Sequence, residues 1–356
     1  MQSEHAEQFR HADQFGPAEQ CGAGSPAGDP TLQPANYFAD RSVSVTQRQY
    51  LASCFADTSL TTTHQRFLRG NFKLMNRVLS THVCVNHRLT VAWLNRVLQA
   101  GIPAVEIFCA RQHLDYRDRG QIAELGHWFR DADLKLHSIH SPMYNDIFWG
   151  RSGPHSVINI TETLKSKRMA MVDEVKRALD IAELIPFRYM VQHLGVGEEE
   201  FDERKVEAAF SSLEELMLFA RQRGVEILLE NIPNELSTAE RLMYFIRTTH
   251  LDLNFVFDVG HAHIGDGVES EFDIMKERIR STHVHDNNGE DDKHLFPLLA
   301  EGGTVNWKKT MQLLRSRPNQ YPLLLELREV DGMEFPLDKI NEVFDRLEEL
   351  PEEEER

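Results

Sequence analysis

The chain of 356 residues has only four cysteines, Cys21, Cys54, Cys84 and Cys109, and no two of them form a CxxC pair or a regular framework. Scattered thiols in a chain this long exclude a disulfide-stapled scaffold and point to a reducing compartment. No apolar run approaches the roughly 20 residues needed to cross a bilayer. The opening stretch MQSEHAEQFRHADQFG is too polar for a secretory signal. A cytoplasmic protein with no membrane partner is expected. Positive charge is also scarce: 39 Lys and Arg stand against 56 Asp and Glu, for a net charge of −17. Sequence-independent nucleic-acid binding rests on Lys and Arg neutralising phosphates, so no nucleic-acid partner is expected. Nor does a GxGxxG turn follow any early strand, which argues against a dinucleotide-binding open sheet.

Two regions of different character are present. Residues 1–74, with stretches such as EQCGAGSPAGDPTLQPAN, hold no sustained apolar period. Such a composition cannot repay the entropy of ordering, so this segment reads as a low-complexity, largely disordered extension. Residues 75–356 alternate short β-branched runs with longer segments of helical period, the pattern of βα units on a parallel sheet. The predicted strands are 81–86, 104–108, 134–140, 188–193, 226–231, 254–259, 281–286 and 322–327. Eight strands, each followed by a helix, match a (β/α)8 TIM barrel, with a doubly wound open sheet as the alternative.

In such a barrel the reactive groups sit where strands end at the mouth. Those ends carry Glu106, His140, His193, Glu230, Asp258, His283 and Glu326, with His261 three residues past Asp258. The stretch HVHDNNGEDDKH, residues 283–294, adds His285, Asp292 and His294. A carboxylate ending an apolar strand, as in EILLEN or PLLLEL, must be paired or ligated. Imidazole and carboxylate donors together suit zinc, manganese, cobalt or iron, and the acids also admit magnesium. A divalent metal site is therefore expected, with Asp286, Glu290 and Asp291 solvated or supporting. In the loop NDIFWGRSGPH, Phe148 and Trp149 either cover the mouth or anchor the loop, and Arg151 is a candidate for a substrate phosphate.

The segments HSP at His140, QHLG at His193, LLEN at Glu230, DVGH at Asp258 and His261, HVHD with DKH, and LLLEL at Glu326 resemble the xylose isomerase-like barrel superfamily. The likeness spans about residues 78–350; it leaves the N-terminal extension out. In the sugar isomerases and epimerases it implies one divalent metal held by Glu230, Asp258, His283 and Glu326. Glu230 and Glu326 would exchange a substrate proton through an enediolate, and His261 would hold a substrate oxygen. His285, on the same strand face as His283, is an alternative ligand. The resemblance extends to apurinic endonucleases of the endonuclease IV type, which hold three zinc ions with nine ligands. His140, His193, Glu230, Asp258, His261, His283, Asp292, His294 and Glu326 supply candidates for all nine. The expected function is a metal-dependent sugar or sugar-phosphate isomerase or epimerase acting on a carbohydrate or hydroxy-keto substrate, in a chain that can be a homo-oligomer. The alternatives are trinuclear phosphodiester hydrolysis and a dehydratase or other lyase on the same scaffold.

Overall fold

The structure, a computed structural model, describes residues 75–317, 321–330 and 336–351. The predicted disordered extension, residues 1–74, lies outside the described residues. Eight strands form one parallel sheet: β1 (Arg77–Ser80), β2 (Ala104–Phe108), β3 (Lys135–His140), β4 (Tyr189–Gln192), β5 (Glu226–Glu230), β6 (Asn254–Asp258), β7 (Ile279–His283) and β8 (Leu323–Leu325). They are hydrogen-bonded in chain order from β7 back to β1, and β8 then pairs with β1. The remaining edges, β7 and β8, meet at one bridge between Val284 and Leu325. There Val284 N donates to Leu324 O at 2.8 Å and Glu326 N to Val284 O at 3.3 Å. That seam turns the sheet into the predicted TIM barrel.

Around it lie α1 (Val91–Gln99), α2 (Arg119–Asp131), α3 (Lys165–Leu179), α4 (Glu203–Arg221), α5 (Ala239–Thr249), α6 (Val259–Ile264), α7 (Val268–Met275), α8 (Trp307–Arg315) and α9 (Leu337–Glu349). Thr90, Asp118, Asp202 and Thr238 cap α1, α2, α4 and α5 by accepting from first-turn amides. Strand side chains alternate between faces, so Ile227 and Leu229 join the large core shared with the helices while Leu228 joins a smaller cluster with Tyr189, Val191 and Val256. That smaller cluster fills the barrel interior. Glu230 continues the face of Leu228, and Asp258 that of Val256, so parity alone delivers both acids to the mouth.

Two irregularities adjust this parity. The register of β2 and β3 shifts between Val105 and Glu106, so Glu106 lies opposite Ser138 rather than His137. The register of β6 and β7 shifts between Phe255 and Val256, so Asp258 lies opposite His283. One extra residue in a strand flips every side chain after it, and these bulges bring His140 and His283 inward.

The first strand differs from expectation. Residues 81–86 were predicted as strand, but β1 is Arg77–Ser80, and Thr81–Cys84 is a buried 3-10 turn. A short apolar run signals burial without distinguishing a strand from a buried turn. The partners decide it: Arg77–Leu79 pair with β8, and Leu79 and Ser80 with β2.

Candidate functional site

At the floor of the mouth, Glu230, Asp258, His283 and Glu326 come together, each at most 2 % exposed. His283 Nδ1 lies 2.9 Å from Glu230 Oε1, 3.0 Å from Glu326 Oε2 and 3.7 Å from Asp258 Oδ2. The opposite ring nitrogen, Nε2, faces Glu106 at 3.2 Å, and Ser138 Oγ donates to that same carboxylate at 2.7 Å. Glu106 thus stands behind His283, outside the mouth, and its carboxylate holds the Nε2 proton, so that Nδ1 is the nitrogen left to give up its proton and offer a lone pair to a cation among the three acids.

Two further groups flank the floor. His140 and His193 bring their Nε2 atoms to 3.6 and 3.0 Å from Glu230 Oε2. On the other side, His261 and His294 place Nε2 at 3.3 and 3.2 Å from Asp292 Oδ2. His285 packs between, its ring stacked 3.8 Å from that of His294 and its Nε2 3.1 Å from Asp258. Room for His285 depends on Gly260, where a Cβ would stand 2.0 Å from the imidazole. Of the two histidines on β7 and its extension, His283 therefore faces the floor acids, and His285 belongs with the flanking set.

The outward nitrogens are also ordered. Nδ1 of His140, His261 and His294 each meets a backbone carbonyl at 2.9 Å, from Ser141, Asn231 and Glu326. A carbonyl can only accept, so each Nδ1 carries a proton, and once the ring is neutral it is Nε2 that presents the lone pair. Tying the outer nitrogen in this way is how proteins orient imidazoles toward a metal. Asn231 does more: its Oδ1 accepts from Asp258 N at 2.8 Å, and its Nδ2 donates to Asp258 O at 3.0 Å. It follows Glu230 directly in LLEN, and that adjacency was the only sequence trace of its role.

Electrostatics fit a cation. Among the described residues, every ion-pair partner of Glu230, Asp258, Asp292 and Glu326 is a histidine. Burial would raise the Glu230 carboxyl, but His283 and His193 outweigh it and hold it well below the ordinary value. Glu326 is held down against burial by His283 and His294. Burial would lower His283 and His261, yet Glu230 and Glu326 for the first, and Asp258 and Asp292 for the second, hold them well above the ordinary imidazole value. His294, against burial, is pushed up to about 9 by Asp292. Without a metal, protons on these rings are what neutralises the acids. A divalent ion on the same donors would do so at a cost of fewer buried protons. The donor set therefore fits such an ion, in one, two or three positions; Glu230 is common to two of the groups.

A cavity of about 250 Å³ opens above these groups, with Phe108, Met143 and Trp149 as its apolar wall. Trp149 is in the mouth, edge-on to Phe108 at 5.2 Å. Phe148 instead points outward, 56 % exposed, with Arg151 over its ring at 5.5 Å. Arg151 does not line the cavity.

The sequence reading missed one residue and left another between two roles. His82 lines the cavity, buried, 4.8 Å from His294 ring to ring and grouped with His294 and Glu326. Burial lowers its imidazole to about 3, so it is neutral. It was overlooked because the first strand was placed four residues late; with β1 ending at Ser80, His82 stands just past a strand end like the others. Asp286, expected to be solvated or supporting, is 4 % exposed and accepts from Val305 N at 3.1 Å and Trp307 Nε1 at 2.6 Å. It fastens the loop that carries Asp292 and His294, whose ends pair between Asp286 and Leu295.

Three solved structures share this architecture. A D-tagatose 3-epimerase-like protein superposes with a TM-score of 0.61 at 22 % identity, over 77 % of this chain and 97 % of that one. A 3-keto-D-glucoside 4-epimerase from E. coli gives 0.58 at 14 %, over 76 % and 98 %. The IolI protein with a bound zinc atom gives 0.59 at 15 %, over 77 % and 96 %. At these identities the likeness speaks for the fold. Residues 94–350 match the sequence model described as xylose isomerase-like TIM barrel. The chain belongs to the xylose isomerase-like TIM barrel family.

Proposed function

We propose that this protein is a divalent-metal-dependent isomerase or epimerase that takes a proton from the carbon beside the carbonyl of a small hydroxy-carbonyl carbohydrate and returns it either to the neighbouring carbon or to the opposite face of the same one. The observation that carries the reading is the pair Glu230 and Glu326, which approach His283 Nδ1 at 2.9 and 3.0 Å on the floor of a small cavity. Glu230, Asp258, His283 and Glu326 would hold the metal. When bound, a divalent ion polarises substrate oxygens and makes the intervening C–H acidic. One glutamate takes the proton and the other returns it, giving an enediolate in between; general base catalysis of this kind contributes about 10²- to 10⁴-fold. His261 presents Nε2 to a substrate oxygen, and Phe108, Met143 and Trp149 cover the C–H face and exclude water. The cavity of about 250 Å³ suits a monosaccharide-sized ligand. Epimerases among the proteins of the same fold support the same class of chemistry.

A second reading rests on one observation. The three donor groups, centred on Glu230 Oε2, on His283 Nδ1 and on Asp292 Oδ2, stand side by side. That arrangement accommodates the trinuclear phosphodiester hydrolysis of endonuclease IV-type enzymes. Against it stand the net charge of −17 and a cavity lined, among the described residues, by a single Arg or Lys.

Deuterium separates the two. Protein loaded with manganese or cobalt, incubated in D2O with a panel of ketoses and hydroxy-keto acids, should place deuterium beside a carbonyl in at least one compound. Cleavage of abasic-site DNA by zinc-loaded protein, with no exchange anywhere in the panel, would replace the isomerase reading by the hydrolytic one. Zinc content per chain, measured in the same preparation, gives an independent count of occupied positions.

A further inference from the structure

We infer that the mouth carries an anion subsite at Arg328, so that the substrate is a carbohydrate bearing a phosphate or carboxylate group. The inference takes from the proposed function only that the substrate is a small carbohydrate. It starts from a mismatch of charge. The cavity is lined by Glu230, Glu326 and Asp292, and among the described residues Arg328 is the one Arg or Lys in its lining. An arginine beside so many acids would ordinarily be neutralised by one of them. Among the described residues, the Arg328 side chain has no ion-pair or hydrogen-bond partner.

The reason lies in what its neighbours do. Glu230, Glu326 and Asp292 are turned to histidines. Glu329, next in the chain, is taken by His87 at 2.7 Å and by Asn86 at 2.9 Å. Arg328 itself is placed firmly, because its backbone N–H donates to His294 O at 2.9 Å, pinning the segment after β8 to the loop that carries Asp292 and His294. Arg328 and Glu326 line the same cavity two residues apart in the chain, Glu326 buried and Arg328 exposed. Beside them His82 lines the cavity with Nδ1 lacking a hydrogen-bond partner.

A fixed backbone, a planar fork of five donors without a partner among the described residues, and a wall of acids below form a polar gradient along the cavity. A ligand whose hydroxyl end faces the acids and whose anionic end faces the rim satisfies it. Phosphate and carboxylate both match the guanidinium fork.

The test uses full-length, metal-loaded protein and three non-reacting probes of one carbon length: erythritol, erythronate and erythritol 4-phosphate. Calorimetric titration should show at least one anionic probe binding about 10- to 100-fold tighter than erythritol, the range of a charge-assisted contact. In R328M and in R328Q the three affinities should fall to within about threefold of one another, and R328K should recover part of the preference. The two neutral variants are read together, each with its metal content and thermal transition, so a folding defect in one does not decide the matter. Which anionic probe is preferred assigns phosphate or carboxylate. Equal affinities in the unsubstituted protein, or a preference that survives in both neutral variants, would overturn the inference. Deuterium exchange into ketose phosphates and hydroxy-keto acids is judged separately: its absence beside an Arg328-dependent preference removes the isomerase chemistry and leaves the anion subsite.

Discussion

The floor and the rim of the mouth use the same residue types on different supports. Glu230, Asp258 and His283 are the last residues of β5, β6 and β7, and Glu326 directly follows β8. Their positions are set by sheet register and by the bulge that puts Asp258 opposite His283. Asp292 and His294 instead hang on a loop, secured by the Asp286–Leu295 bridge and by Asp286 to Trp307 at 2.6 Å. Asp292 is also the more exposed, its side chain 38 % accessible against at most 3 % for the floor acids. A site on strands is rigid before any ligand arrives, whereas a site on a loop acquires its geometry from its fastenings. The floor is therefore expected to bind metal first and hold it hardest.

The largest effect follows from that difference. D258N removes a charged donor from the floor and should weaken metal binding by more than about 100-fold, beyond the range seen for merely supporting residues. D292N should leave the floor metal in place and lower only the additional occupancy at the rim. Elemental analysis after dialysis against a weak chelator reads both. Full occupancy in D258N would falsify the floor as the primary site, and equal loss in the two variants would erase the distinction between floor and rim.

A smaller effect is expected one layer below. Glu106 holds His283 Nε2 at 3.2 Å from inside the barrel. E106Q keeps the shape but no longer fixes the Nε2 proton, and metal affinity should drop about 10- to 100-fold. Chelator competition measures it without any activity assay. An unchanged affinity would show that sheet register alone orients His283.

How much of this was legible in the sequence follows the same division. The acids that end apolar strands announced themselves, because an unpaired carboxylate cannot be left there. Seven of the eight strands overlap their predicted spans, and only the first was misplaced. The register shifts at β3 and β7 were not legible, since a bulge is visible only against its partner strand. Nor could spacing choose between His283 and His285, because both lie on one face of an extended chain, and it took the Glu106 and Asp258 contacts to separate them. Which of the two roles expected for Asp286, solvated or supporting, was not legible for the opposite reason. In a polar loop its burial depends on Val305 and Trp307, which lie 19 and 21 residues away.

The smallest effect is on pH dependence, and it concerns the rim pair. His294 is raised from 6.5 to about 9 by Asp292 in the metal-free protein. A group whose folded value is raised stabilises the fold fully below its unfolded value and loses that contribution as pH climbs through the folded value. The metal-free protein should therefore lose thermal stability between about pH 6.5 and 9. Asp292 is depressed against its burial by His294 and His261, so its own contribution disappears only on acidification, below the ordinary carboxylate value of 3.8. With metal bound the slope reverses. Neutral imidazole is the ligand form, affinity rises as protons leave, and binding to the folded state alone raises its stability. Thermal transitions of the metal-free and metal-loaded protein should diverge as pH rises over this interval. D292N should flatten the metal-free slope while leaving the metal-loaded slope, which the floor dominates, nearly as it was. Parallel slopes in the two forms would mean that no metal replaces protons on these histidines.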